Sequence, residues 1–233
     1  MNPKYLYLMR FALAHPRIAL LAWRLKRERR TYLGYQHLFS LAESCFAAQA
    51  RREERLCVAE FGVGRGGSAV LLAWLVQRLG GTLTIYDVFG RIPPPSEKDG
   101  HRAQDRYRII LEQEASDYYG NLPNLVDQIR RDLAEVCDLQ RIQIVQGRYE
   151  ETLMTENGPV FDVVHIDCDW YDSVKTVLRY LESHLRPGAI LQIDDYSNWR
   201  GSRLAVEEAD WLGHYSRRLV GGPLVIDTGI TSG

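Results

Sequence analysis

The sequence predicts an α/β protein with a seven-stranded, mostly parallel sheet, helices on both faces and an antiparallel edge strand. From about residue 55 to residue 212, short apolar runs alternate with segments of helical periodicity. Such alternation is typical of successive βαβ units, which build parallel sheets. The last two apolar runs follow each other with no helix between them. They therefore predict a closing pair of strands and an antiparallel edge.

The chain divides into a helical N-terminal segment, residues 1–50, and a main domain, residues 51–233. The first 30 residues favour two short amphipathic helices broken at Pro16, and residues 31–50 favour a third helix. No uninterrupted apolar run reaches the roughly 18 residues that a transmembrane helix needs. A lid, a contact within a homodimer and a segment lying on a membrane surface all remain open for residues 1–50.

The charge distribution excludes one class of partner. The formal net charge is −1, which argues against a nucleic-acid-binding protein driven by bulk charge. Residues 1–55 nevertheless hold 11 Lys/Arg against 4 Asp/Glu. This basic segment is interpreted as a solvated helical face or an arm that packs on an acidic neighbour.

The four cysteines argue against a thiolate zinc site. They are scattered, with no Cys-x-x-Cys pair and no histidines clustered beside them. Unpaired cysteines of this kind are typical of a reducing compartment, so we expect a cytoplasmic protein.

The first half of the main domain begins with a strand in residues 55–62 and a helix in 68–81, which Gly80 and Gly81 end. A second strand follows in 82–90. Three consecutive prolines predict a loop in 91–100. Residues 104–137 are predicted mostly helical, with a break around 118–124.

The second half repeats the alternation. Residues 141–147, 160–167 and 189–196 are predicted strands, and 171–188 a helix that ends at Pro187 and Gly188. A helix in 202–212 and strands in 214–222 and 223–229 complete the domain.

Open parallel sheets bind ligands at the carboxyl ends of their strands. The first such end carries the stretch Glu60-Phe61-Gly62-Val63-Gly64, which leads to a helix starting near Ser68. Glycines permit a tight turn and close approach of a ligand to the backbone. Glu60 would repel a pyrophosphate, so it favours a cationic ligand such as the amino acid end of S-adenosylmethionine over a nicotinamide dinucleotide.

The next strand ends at Asp87, about 20 residues beyond the glycine loop. An acidic residue at this position accepts hydrogen bonds from ribose hydroxyls in dinucleotide-binding folds. An aspartate that merely starts a turn is the alternative. After the glycine loop, ribose binding is favoured.

Two later strand ends are rich in carboxylates. Asp167 ends one strand and is followed by Asp169, while Asp194 and Asp195 end the next. If these strands are neighbours, three carboxylates converge, which is unfavourable without a cation. Oxygen ligands favour Mg²⁺, with Mn²⁺ or Ca²⁺ as other choices. His165 is interpreted as a core histidine rather than a ligand.

Together, the motifs EFGVGRGGSA, IYDVFGRIPPP, HIDCDWYDSV and IDDYSNWRGSRLAVEEA resemble the macrocin/mycinamicin/novobiocin-type O-methyltransferases over roughly residues 56–212. This resemblance implies the Rossmann-like sheet of class I methyltransferases, S-adenosylmethionine as cofactor and a divalent metal. Members of that family methylate sugar hydroxyls in antibiotic biosynthesis. The departures are Cys168, where many members have glycine, and the distinctive segment 93–119.

The resemblance also implies residue roles. Asp169 corresponds to the proposed general base, and Asp167, Asp194 and Asp195 to the metal ligands. The implied cofactor contacts are Glu60, Phe61, Gly62, Gly64, Ser68, Asp87, Gly147, Arg148 and Asp167.

The expected reaction is methyl transfer to a hydroxyl of a small-molecule acceptor whose identity the sequence leaves open. One alternative is a nicotinamide-dependent oxidoreductase, but no Tyr-x-x-x-Lys pair is evident. The other is a non-catalytic nucleotide-binding interaction protein, which would not need so many carboxylates at strand ends.

Overall fold

A computed structural model describes residues 3–112, 122–154 and 157–231. The helices of these residues are α1 (Pro3–Ala14), α2 (Pro16–Arg27), α3 (Tyr35–Ala50), α4 (Gly67–Leu79), α5 (His101–Glu112), α6 (Leu125–Ala134), α7 (Tyr149–Thr152), α8 (Tyr171–Leu181) and α9 (Arg200–Glu207). The strands are β1 (Cys57–Phe61), β2 (Thr82–Asp87), β3 (Ile142–Gln146), β4 (Phe161–Ile166), β5 (Leu185–Ile193), β6 (Tyr215–Leu219) and β7 (Leu224–Thr231).

The seven strands form one sheet in the order β3-β2-β1-β4-β5-β7-β6. Pairing is parallel from β3 through β5, and β7 runs antiparallel to both of its neighbours. The predicted fold class is therefore confirmed. The reversed strand lies one place inside the edge, between β5 and β6, rather than at the edge itself.

The predicted helix in 171–188 is wrong in its second half. Helix α8 ends at Leu181, and β5 already begins at Leu185, so that Pro187 and Gly188 belong to the strand. The residue before a proline disfavours the helical region, which promotes extended backbone at this point. The pairing of β4 with β5 is irregular here, where the register shifts between Phe161 and Val163.

The helices cover both faces of the sheet, and each face has its own core. Side chains of α1–α4 and α6 pack on the face that carries Val58 and Val163. Helices α8 and α9 pack on the opposite face, which carries Phe61 and Ile166. The N-terminal helices thus contribute to the main core, and the ring of Phe11 in α1 stacks on Phe39 in α3 at 4.3 Å between centroids.

The N-terminal segment also contacts acidic residues of the main domain. Arg30 pairs with Asp132 of α6, and Arg24 lies 3.1 Å from a carboxylate oxygen of Glu135. These contacts agree with an arm that packs on an acidic neighbour. The division at residues 50 and 51 stays a prediction. Within the described ranges, no helix has the length and apolarity to cross a membrane.

The predicted break at 118–124 lies partly outside the described residues, which resume at residue 122.

The strand order reverses between β1 and β4. Strands β2 and β3 lie on one side of β1, and β4 and β5 lie on the other. Clefts outside the carboxyl ends of strands at such a point are where this architecture binds ligands.

Candidate active site

A cavity of about 480 Å³ opens at the carboxyl ends of the parallel strands. This volume is within the usual range for small-molecule sites. Its floor comes from the ends of β1, β2, β4 and β5, and one wall comes from the N-terminal segment. Lining residues from the strand ends are Gly62, Gly64, Asp87, Asp167, Cys168, Asp169, Asp194 and Asp195. The walls include Tyr32, Leu33, Gly34, Gln36, His37, Ile92, Pro93, Arg102, Arg148 and Trp199.

The glycine loop lies against the end of β4. The N–H of Gly62 donates to the carbonyl of Tyr86 at 3.0 Å, and the N–H of Asp167 donates to the carbonyl of Phe61 at 2.8 Å. Gly62 has a φ of +87°, and a Cβ there would lie 2.0 Å from the carbonyl oxygen of Asp167. Only glycine therefore fits this position.

Asp87 stabilises this loop through hydrogen bonds to its backbone. One carboxylate oxygen accepts from the N–H groups of Val63 and Gly64 at 2.6 and 3.2 Å, and the other accepts from Phe89 at 2.7 Å. Burial raises the pKa of Asp87, and these amide hydrogen bonds oppose that rise. Asp87 lines the cavity as expected, but much of its hydrogen-bonding capacity already serves the loop.

Glu60 lies below the cavity rather than in its wall. Its side chain is fully buried, and its Oε1 lies 2.8 Å from Nδ1 of His165 on the neighbouring strand. Burial alone would lower the pKa of His165, but hydrogen bonds and charges from Asp194 and Glu60 outweigh it and raise that pKa well above its ordinary value. Glu60 is thus paired with His165 inside the sheet, and its contact with a cofactor stays a prediction.

Three other predicted cofactor residues also lie outside the cavity lining. Phe61 is fully buried and stacks on Tyr86 at 4.7 Å between ring centroids. Ser68 is buried in the first turn of α4. The N–H of Gly147 donates to the backbone carbonyl of Asp87, while its neighbour Arg148 lines the cavity.

The carboxylates at the ends of β4 and β5 do converge. Burial, then the charges of Asp195 and Asp194, raise the pKa of Asp167 well above its usual range. Burial and the charge of Asp194 raise the pKa of Asp195 to about 6. His165 lowers both pKa values, but burial and the neighbouring carboxylates outweigh it.

Asp194 has a different environment. Its Oδ2 lies 2.8 Å from Nδ1 of His37, and its Oδ1 accepts from Nε2 of Gln192 at 2.9 Å. Nε2 of His165 lies 3.3 Å from the same Oδ1. Burial would raise the pKa of Asp194, but His165 and His37 hold it well below its usual range.

This donor set fits a divalent cation. One ligand atom each from His165, Asp167 and Asp194 lie within 4.8 Å of one another, and Asp195 follows directly in the chain. Converging carboxylate oxygens, those of Asp167 and Asp195 with raised pKa values, are what a hard cation such as Mg²⁺ would neutralise.

Asp169 occupies the turn between β4 and α8. It lines the cavity with a φ of +56°, a left-handed conformation that costs a non-glycine residue about 1–3 kcal/mol. Its N–H donates to Oδ2 of Asp195 at 3.3 Å. The buried Trp170 that follows donates its indole N–H to the carbonyl of Pro93 at 3.0 Å. These two hydrogen bonds tie the turn to the end of β5 and to the loop at Pro93.

The sequence did not reveal His37 as a site residue. It is 157 positions from its partner Asp194 and lies on helix α3, so no local motif links the two residues. Arg102 was missed as well. It donates to the carbonyl of Asn198 at 3.2 Å, and its guanidinium lies 5.0 Å from the ring centroid of Trp199 at the cavity mouth.

A family model described as macrocin O-methyltransferase (TylF) matches residues 30–211. A curated relative from Streptomyces olivaceus, the 8-demethyl-8-(2,3-dimethoxy-alpha-L-rhamnosyl)-tetracenomycin-C 4'-O-methyltransferase, is 28% identical over 142 residues. That alignment includes 59% of this chain and 52% of the relative, so the chain spans about half the length of the curated relative it matches.

Solved structures share the fold. The O-methyltransferase NovP superposes with a TM-score of 0.73 at 21% identity, covering 98% of this chain and all of that one. The calicheamicin methyltransferase CalS11 gives a TM-score of 0.66 at 22% identity and covers 82% of this chain and 78% of its own.

Proposed function

The chain belongs to the macrocin O-methyltransferase (TylF) family, and from this membership we propose that it transfers a methyl group from S-adenosylmethionine to a hydroxyl of a small-molecule acceptor. The acceptor we favour is a sugar or a related natural product with two neighbouring oxygens. The observation that carries the proposal is the meeting of Asp167, Asp169, Asp194 and Asp195 beside the glycine loop in one cavity.

The glycine loop and Asp87 form the cofactor side of the proposed site. The loop leaves open space beside Gly64, and Asp87 holds the loop in shape by accepting from the N–H groups of Val63 and Gly64. Arg148 lines the side of the cavity where we expect the adenine. When bound, S-adenosylmethionine would supply the methyl group from its sulfonium centre.

Asp167, Asp194 and Asp195 would hold the divalent cation, for which we favour Mg²⁺. A cation bound there would lower the pKa of an acceptor hydroxyl, as bound metals do for water. Asp167 and Asp195 are two carboxylates whose pKa values burial and neighbouring carboxylates raise, despite the nearby His165.

Asp169 is the group we assign as general base. Its carboxylate would accept the proton from the acceptor hydroxyl while that oxygen forms its bond to the methyl carbon and the carbon–sulfur bond breaks. Its left-handed backbone and the hydrogen bond from its N–H to Asp195 fix its place next to the cation-binding oxygens.

The acceptor side of the cavity is partly aromatic. Tyr32, Pro93 and Trp199 line it, and Arg102 lies over the Trp199 ring. Flat apolar faces with a few polar groups suit a sugar ring or a planar aglycone. Residues 32–37 form the wall that would exclude water during transfer.

The first test is binding of S-adenosylhomocysteine by calorimetry, with NAD⁺ as the comparison ligand. Micromolar binding of S-adenosylhomocysteine and none of NAD⁺ are expected. Preference for NAD⁺ would contradict methyl transfer and favour an oxidoreductase, and binding of neither would favour an interaction protein.

The second test is turnover with a panel of sugar and phenolic diols in the presence of Mg²⁺. Exchange of Asp167 for Asn should abolish turnover while S-adenosylhomocysteine still binds. The matched control is Asp172→Asn, which removes an exposed carboxylate from the first turn of α8, outside the cavity lining. Normal turnover of Asp167→Asn in EDTA would exclude the proposed metal role.

A further inference from the structure

A chain of polar side chains runs from the interior of the sheet to the N-terminal segment. It starts at Glu60 in β1, passes through His165 in β4 and Asp194 at the end of β5, and ends at His37 in α3. The successive distances are 2.8, 3.3 and 2.8 Å. Acidic and basic groups alternate along it, so each member has an oppositely charged or hydrogen-bonding neighbour.

Asp194 is the member that the proposed metal centre shares with this chain. Its Oδ1 faces two groups, Gln192 and His165, whereas its Oδ2 faces His37. A carboxylate has about four lone-pair sites, two on each oxygen. Oδ2 therefore keeps one lone pair for a cation, and its contact with His37 restricts the orientation of the carboxylate.

The ring of His37 is itself held in place by the turn between β6 and β7. A Cβ on Gly222 would lie 2.6 Å from Nε2 of His37, so the ring occupies space that only glycine leaves free. The backbone carbonyl of His37 accepts from Nε2 of Gln192 at 3.1 Å. Gln36 and Ser197 donate to the carbonyls of Gly221 and Gly222, at 3.2 and 2.8 Å.

We propose that His37 is a positioning residue for the divalent cation, acting through Asp194. The inference rests on the proposed function only in taking Asp194 as a metal ligand. The N-terminal segment then contributes to the metal centre as well as forming a wall of the cavity. Because coupling between two binding events is reciprocal, cation binding must also strengthen docking of residues 30–37.

The test uses the full chain and Mn²⁺ as the probe, with free Mn²⁺ followed by electron paramagnetic resonance. His37→Phe keeps a ring but removes the group at Nδ1, so the Kd for Mn²⁺ should rise about 10- to 100-fold, as for other partners of metal ligands. His37→Asn restores a donor near the position of Nδ1 and should recover most of that loss. Gly222→Ala, which displaces the ring, should weaken Mn²⁺ binding as His37→Phe does.

The matched control is Ser44→Ala on the same helix, where the hydroxyl donates only to the carbonyl of Ser40 at 3.0 Å. It should leave the Kd for Mn²⁺ unchanged. A second measurement needs no variant: hydrogen exchange of the wild-type segment 30–37 should slow when Mn²⁺ is added. Wild-type Mn²⁺ affinity in His37→Phe, or unchanged exchange in that segment, would overturn the inference.

Calorimetry with S-adenosylhomocysteine separates this inference from the proposed function. Loss of Mn²⁺ binding in His37→Phe with no S-adenosylhomocysteine binding in wild type would support the role of His37 and contradict methyl transfer. Normal S-adenosylhomocysteine binding with no wild-type Mn²⁺ binding would overturn the inference and leave a metal-free methyltransferase.

Discussion

Carboxylates at the two ends of the sheet have opposite electrostatic surroundings. At the amino end, Asp162 is fully buried, yet it pairs with Arg52, lies 3.5 Å from Arg186 and accepts from the N–H of Cys57 at 2.7 Å. At the carboxyl end, Asp167 and Asp195 lie next to further carboxylates, and their pKa values are raised.

This difference distinguishes carboxylates that stabilise the fold from carboxylates that we expect to bind a ligand. A buried carboxylate that has arginine partners can stay charged, because the pairing offsets the loss of hydration. A carboxylate whose neighbours are mainly other carboxylates favours protonation instead. Such a cluster is stabilised when a cation from outside the chain binds, so the carboxyl end is the one expected to bind a metal.

The largest expected effect concerns catalysis at the carboxyl end. Asp169→Asn should reduce turnover by about 100- to 10,000-fold, because general bases contribute that much, while S-adenosylhomocysteine binds as before. Single-turnover kinetics with the best acceptor would measure it. A decrease of the same size in Asp172→Asn would show that net charge, rather than the placement of Asp169, matters.

The next effect concerns folding at the amino end. Asp162→Asn leaves Arg52 and Arg186 without their buried partner and should lower the free energy of unfolding by about 3–5 kcal/mol. Urea unfolding followed by circular dichroism would measure the loss. If Asp162→Asn were neutral, the contrast between the two ends would fail.

A gain in stability is expected from the same substitution at the other end. Asp195→Asn should raise the free energy of unfolding of the EDTA-treated protein by roughly 1–3 kcal/mol, because it removes a buried carboxylate whose pKa is raised. The folded-state pKa is above the ordinary value of 3.8, so the wild type is penalised fully above pH about 6. The penalty shrinks as the pH falls through that value toward 3.8, and the gain should shrink with it. A loss of stability at neutral pH would contradict this account.

The smallest effect concerns a pair at the amino end that is partly exposed. Arg51 binds both carboxylate oxygens of Asp227, at 2.7 and 2.6 Å. Exposed pairs contribute about 0.2–1 kcal/mol, so Arg51→Gln should cost no more than that. The hydrogen bonds from Arg51 lower the pKa of Asp227. The contribution should therefore be complete above the ordinary carboxyl range and be lost as the pH falls through the lowered pKa. Thermal unfolding across pH would measure it, and a cost that persists in strong acid would contradict it.

Much of the fold and the position of the site follow from the sequence, because they depend on local patterns. Apolar runs and glycine stops located the strands, and the rule that ligands bind at carboxyl ends pointed to Asp87, Asp167 and Asp194. The boundary of α8 was missed, because Pro187 and Gly188 end a helix in sequence terms but lie in a strand whose pairing is irregular.

Contacts between distant elements did not follow from the sequence. The pairing of Glu60 with His165 depends on the register between β1 and β4, which places them side by side. The contact of His37 with Asp194 depends on how α3 packs on the sheet. Neither register nor helix docking leaves a local pattern in the chain.

The reversed direction of β7 has a consequence for how such a chain tolerates insertions. Because β6 and β7 are antiparallel, their connection at Val220–Pro223 turns back at the same end of the sheet as the carboxylates. A residue or two added there would change no carboxylate, yet it would move Gly222 away from the His37 ring. Under the proposed role of His37, loop length at this hairpin would therefore change metal affinity while every acidic residue is kept.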